Sequence, residues 1–226
     1  MGKIYLVRHA QASFGMDNYD QLSEKGRQQS ALLPQFFEQA IPNGIEALYT
    51  GELERQKETA SIGFPEMICR ILPGLNEYDH INLLQVYKPE WVDRNKIISY
   101  ILSQPDPKKA MQREFENGMN KWIQETENAD YTEKWPDFQR RCINTLEKIT
   151  EQSKAVGHKE VAAVTSGGFI AAVVGHVLGL SPEKYLEMNW VIANASVTGL
   201  LFNDEKISLS FLNNYQYLPK GMVTFR

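Results

Sequence analysis

The 226-residue chain has little of several things, and each scarcity narrows what it can be. It has two cysteines, Cys69 and Cys142, in no redox or metal-type spacing. That excludes a disulfide scaffold and a zinc motif, and points to reduced thiols in a cytoplasmic protein. No apolar run approaches the roughly 20 residues of a membrane span. Arg8 and His9 arrive too early for a secretory leader. Neither charge is in large excess. The net charge of −4 offers no global attraction for nucleic acid or an anionic membrane. Glycine, proline and serine never gather into a linker, and no segment repeats, so residues 1–226 read as a single domain.

What is there begins with Ile4-Tyr5-Leu6-Val7-Arg8-His9. The apolar run predicts a buried strand over Lys3–Val7, which delivers Arg8 and His9 at its carboxyl end. Ser23 is placed to cap a helix whose apolar face carries Leu32, Leu33, Phe36, Phe37 and Ala40. Ile45–Tyr49 and Met67–Leu72 read as strands, with a helix carrying Arg55 between them. From about residue 87 to 152 the pattern turns aromatic, charged and helical, predicting a helical insertion. Trp91, Tyr100, Trp122, Tyr131 and Trp135 there suit either a specificity surface or a core. Glu160–Thr165 is a strand, Ser166-Gly167-Gly168 a turn with Ser166 as candidate cap, and Phe169–Leu178 an apolar helix. Val191–Phe202 and Lys206–Leu212 predict a terminal antiparallel hairpin. The alternation predicts an α/β fold, a three-layer α/β/α sandwich around a mostly parallel sheet.

Four strand ends carry groups suited to phosphoryl chemistry. Arginine grips phosphate through paired hydrogen bonds, and histidine is a nucleophile or proton carrier near neutral pH, which suits Arg8 and His9. Arg55 falls just beyond the second strand, near the same sheet edge. Glu77 follows the third and has the chemistry of a general acid. Ser166-Gly167-Gly168 opens a helix, where backbone N–H groups favour an anion. Each feature has a plain structural explanation alone; the four together do not.

These segments also resemble a family. Leu6-Val7-Arg8-His9-Ala10 resembles the Arg-His-Gly signature of the histidine phosphatase superfamily, which includes the phosphoglycerate mutases. Leu22–Gln29, Tyr49–Arg55 with Thr59-Ala60, Leu75-Asn76-Glu77 and Val161–Ile170 resemble its later motifs, in family order. The resemblance implies that His9 takes the phosphoryl group, that Arg8 and Arg55 bind it, and that Glu77 shuttles the proton. Ser166 and Gly167, at the start of a helix, are the further candidate phosphate-binding residues. It implies no cofactor, and the sequence offers no metal-ligand set.

The chain departs from the family pattern in three places. Ser166 stands where the family places a second histidine, Ala10 where it places glycine, and Gly15 where many members place asparagine. Gln11, Ser13 and His80 are the candidate substitute donors. The expected activity is hydrolysis of a small phosphomonoester. Phosphoglycerate mutase-type transfer and a weakly catalytic phospho-ligand binder are the alternatives. The expected partner is a small phosphorylated substrate, with no nucleic acid or membrane. A homodimer is compatible with the sequence, which does not set the oligomeric state.

Overall fold

The computed structural model describes residues 1–13, 20–125 and 130–225. The chain forms two compact units: residues 1–77 with 141–226, and residues 78–140. The segment 87–152 is divided between them.

The first unit is built on a six-stranded sheet of order β3-β2-β4-β1-β5-β6. Its strands are β1 (Gly2–Arg8), β2 (Ala47–Thr50), β3 (Cys69–Ile71), β4 (Glu160–Thr165), β5 (Val197–Phe202) and β6 (Ile207–Asn214). β3, β2, β4 and β1 run parallel. β5 and β6 complete the sheet as an antiparallel hairpin. Alternate residues of a strand point to opposite faces, and here both faces are covered. On one side Tyr5, Val7, Leu48, Ala162 and Val164 pack with Leu33, Phe36 and Phe37. The last three come from α2 (Leu33–Ala40), which follows α1 (Glu24–Ala31), while Ala60 and Phe64 add the end of α3 (Glu54–Gly63). Ile4, Leu6, Val161 and Ala163 on the other side are equally buried, as are Phe169, Ile170, Val173 and Val174. Those four belong to α8 (Gly167–Leu178), which packs on β1 and β6. The architecture is therefore α/β, with helical layers on a mostly parallel sheet.

The second unit contains α4 (His80–Tyr87), α5 (Arg94–Leu102), α6 (Pro107–Gln124) and the start of α7 (Trp135–Val156), which continues into the first unit. Trp122 lies at the centre of an aromatic cluster with Tyr78, Trp135 and Phe138, at ring separations of 5.1, 5.3 and 5.6 Å. Trp91, Trp122, Tyr131 and Trp135 are all buried, so these aromatics form core.

Four local expectations need correction. The helix predicted after Ser23 is two helices, broken at Leu32, because Pro34 enters the first turn of the second and cannot donate to the preceding one. β3 is only three residues long, an edge strand shorter than Met67–Leu72. The strand predicted from Val191 begins at Val197 instead. Residues before it belong to α9 (Pro182–Val191) and to a loop in which Ala195 adopts a left-handed backbone, φ 57°. Ser166 occupies the N-cap position of α8, but its side chain makes no capping bond.

Candidate active site

The carboxyl ends of β1, β2 and β4 gather the predicted residues, as expected of an open parallel sheet. Arg8 and His9 lie at the end of β1 and are almost fully buried, 5% and 6% exposed. The His9 N–H donates to Thr165 O at 2.8 Å, which ties the nucleophile candidate to the end of β4. His9 Nδ1 lies 2.8 Å from Ala10 O, and Arg55 Nε donates to His9 Nε2 at 3.1 Å. A carbonyl can only accept and a guanidinium can only donate. The two contacts therefore fix one neutral tautomer, with the proton on Nδ1 and the lone pair on Nε2.

Arg55 reaches this point from the first turn of α3, and its Nη1 pairs with Asp20 Oδ1 at 2.5 Å. Asp20 also accepts from the Glu54 N–H at 2.8 Å, so it holds the helix start and the guanidinium together. Thr59, one turn on, accepts the Ala10 N–H at 3.0 Å. Arg8 is anchored through Nη1 to Ile192 O. Gly167 lies against the same guanidinium, since a Cβ there would come 3.4 Å from Arg8 Nε.

Glu77 joins the site from the loop after β3. Its Oε2 accepts the Gly168 N–H at 3.1 Å, at the first turn of α8. The loop itself is fixed by Arg141 Nη1, which donates to Gly74 O at 2.8 Å and Asn76 O at 2.9 Å. Ser166 is fully buried beside the end of β1, and its Oγ accepts from Gln56 Nε2 at 2.8 Å.

The substitute donors are placed differently. Gln11 is drawn toward α1: its N–H donates to Gln29 Oε1, and its Oε1 accepts from Ser23 Oγ at 2.9 Å. Ser23 caps α1 as expected, through the Gly26 N–H. Ser13 N–H donates to Gln21 O. His80 opens α4 in the second unit. Gly15 lies outside the described residues. Asp20, Gln56, Asn194 and Arg141 had no sequence signal, because each acts on a residue remote in the chain. Burial pushes the Cys69 thiol up to about 11, so it is not a poised thiolate, and Cys142 is buried in α7. Among the described residues, no group of three His, Cys, Asp or Glu side chains is arranged to hold a metal ion. No helix of the described residues is long and apolar enough to cross a membrane.

Comparison with solved structures shows a shared fold. A phosphoserine phosphatase from Entamoeba histolytica, in complex with 3-phosphoglyceric acid, is 17% identical, with a TM-score of 0.67 over 97% of this chain and 100% of that one. A mycobacterial glucosyl-3-phosphoglycerate phosphatase with inorganic phosphate is 18% identical, with a TM-score of 0.65 over 97% and 100%. Phosphoglycerate mutase from Bacillus anthracis is 17% identical, with a TM-score of 0.65 over 96% and 94%. No curated protein sequence matches the chain. The family model for the histidine phosphatase superfamily, branch 1, matches residues 4–96 and 102–215, and the chain belongs to that superfamily.

Proposed function

We propose that the protein is a phosphatase that hydrolyses a small phosphomonoester through a phosphohistidine on His9. The observation that carries this reading is the His9 tautomer. Nδ1–H is spent on Ala10 O, and the Nε2 lone pair points at a buried guanidinium, where a phosphoryl group would be neutralised. That is what an imidazole nucleophile requires.

The two steps balance simply. The Arg55 Nε–H hydrogen bond passes from His9 Nε2 to a non-bridging oxygen of the bound ester, which frees the lone pair. Nε2 attacks phosphorus, the P–N bond forms and the ester P–O bond breaks, and the Glu77 carboxyl gives its proton to the departing alkoxide. Water then attacks phosphorus while Glu77 takes one of its protons. The P–N bond breaks, and neutral His9, a protonated Glu77 and orthophosphate remain. Arg8 and Arg55 hold the non-bridging oxygens in both steps. Positioning and charge stabilisation of this kind supply most of the catalysis in phosphoryl transfer.

The test uses the whole chain and a panel of phosphate esters. Wild-type protein is expected to release orthophosphate and to carry acid-labile, alkali-stable phosphate during turnover. His9→Ala is expected to lose the phosphoenzyme and at least ~10³-fold of turnover. Undiminished hydrolysis by His9→Ala would overturn the reading. Phosphate delivered to an added alcohol in preference to water would favour the mutase alternative.

A further inference from the structure

Gln56 follows Arg55 on α3 and is fully buried. Its Nε2 donates to two acceptors, Ser166 Oγ at 2.8 Å and Leu75 O at 3.0 Å. Ser166 is the residue after Thr165, which pairs in register with Arg8. His9 and Ser166 are therefore neighbouring positions at the ends of adjacent parallel strands, about 5 Å apart between backbones. α3 thus addresses both with consecutive side chains, Arg55 to His9 and Gln56 to Ser166.

The direction of the Gln56–Ser166 bond follows from its third member. Leu75 O can only accept, so the amide nitrogen must face it. Turning the amide over would set its oxygen against a carbonyl oxygen. The orientation has a cost: among the described residues, buried Gln56 Oε1 has no hydrogen-bond partner. It is accommodated by Gly51, where a Cβ would sit 2.0 Å from that oxygen. A buried orphan acceptor is rare enough to need a reason. A structural cap does not provide one, because the Ser166 hydroxyl makes no bond to the α8 backbone. What the arrangement achieves is chemical. A hydroxyl that accepts from Gln56 keeps its own proton for another acceptor.

We propose that Gln56 is a positioning residue that turns the Ser166 hydroxyl proton toward a non-bridging oxygen of the phosphoryl group as it moves onto and off His9. The pair supplies a neutral, preorganised donor where the family resemblance places a histidine. The proposal rests on the phosphohistidine reading above and adds the roles of Gln56 and Ser166 to it.

The experiment compares wild type, Ser166→Ala, Gln56→Met, Gln56→Glu and Ser166→Ala/Gln56→Met on p-nitrophenyl phosphate, with thermal melting to confirm folding. Ser166→Ala is expected to lower kcat about 10²-fold, the effect of removing one preorganised donor. Folded Gln56 variants are expected to lower kcat in the same direction with KM within about threefold. The double variant is expected to match Ser166→Ala rather than the product of the two losses, because the residues act as one unit. Orthovanadate, a mimic of the transferring group, is expected to bind the variants more weakly by a similar factor. Wild-type kcat in Ser166→Ala overturns the proposal whatever the Gln56 variants do. So does wild-type kcat in a folded Gln56 variant, or full multiplicativity in the double variant. His9→Ala in the same assay separates the two readings: if it retains turnover, the phosphohistidine reading itself has failed.

Discussion

At the scale of single residues, Arg55 shows why side-chain geometry matters more than charge. Its Nε serves His9 and its Nη1 serves Asp20. Lysine offers one compact ammonium and cannot bridge both. Arg55→Lys is expected to lower kcat/KM about 10²-fold or more, measured by steady-state hydrolysis of an aryl phosphate. Glu114 in α6 gives a contrasting case, structural rather than catalytic. Its carboxylate is buried among Lys88 Nζ at 2.8 Å and the Tyr100 and Tyr87 hydroxyls at 2.6 and 3.2 Å. Burial alone would raise its pKa, but the Lys88 and Tyr100 hydrogen bonds and the Lys88 charge outweigh it and hold the group at about 2. The unfolded chain takes the same proton near the ordinary carboxylate value. The stabilisation is therefore complete above that value and lost as pH falls toward about 2. Glu114→Gln strands the Lys88 charge and is expected to cost about 3 kcal/mol at neutral pH. Denaturant unfolding across pH is expected to show that difference shrinking on acidification. That Arg8, His9, Arg55 and Glu77 lie in one region was legible in the sequence because each ends or follows a strand. Asp20 and Gln56 were not, because a lone aspartate and a glutamine in a helix look the same whether or not they touch the site.

At the scale of elements, the strands were legible where they are buried on both faces and obscure where a neighbour overrides local pattern. β1 and β4 follow their apolar runs. The Val191–Phe202 run looks equally strand-like, yet its first half is needed as a loop. Ile192 O holds Arg8 there, and Asn194 Nδ2 donates to His9 O at 3.3 Å. Apolar periodicity cannot reveal a backbone recruited as a hydrogen-bond partner for a distant arginine. α9 has a fair local start in Ser181-Pro182-Glu183, with proline in its first turn. Packing of α1 against the loop after His9 is tight enough to test. A Cβ on Gly26 would lie 2.1 Å from Gln11 O, a backbone atom two residues beyond His9. Gly26→Ala is expected to destabilise the protein by about 1–3 kcal/mol and to lower turnover as well. Melting curves and kinetics on the same preparation would check both effects.

At the scale of the whole molecule, the site depends on contacts that join distant parts of the first unit. Gln29, fully buried, accepts the Gln11 N–H and donates to Thr224 Oγ1 at 2.8 Å. Thr224 in turn donates to Asn194 Oδ1 at 3.1 Å, and Asn194 reaches His9 O. This chain of amides and a hydroxyl backs His9 without touching its ring. Thr224→Val removes its middle member and both of that hydroxyl's hydrogen bonds. The expected loss is about 2 kcal/mol, read as a fall of roughly 4–8 °C in Tm. Such a network is invisible in sequence, where residues 11, 29, 194 and 224 share no pattern. The sheet order has a further consequence, for how the protein is made. β1 is synthesised first but sits in the sheet interior, with Lys3 paired to Glu160 and Gly2 to Phe202. Both of its neighbours, β4 from Glu160 and β5 from Val197, emerge from the ribosome long after it. Arg8 and His9 are therefore made well before the strands that flank them, and must wait for both before their surroundings are complete.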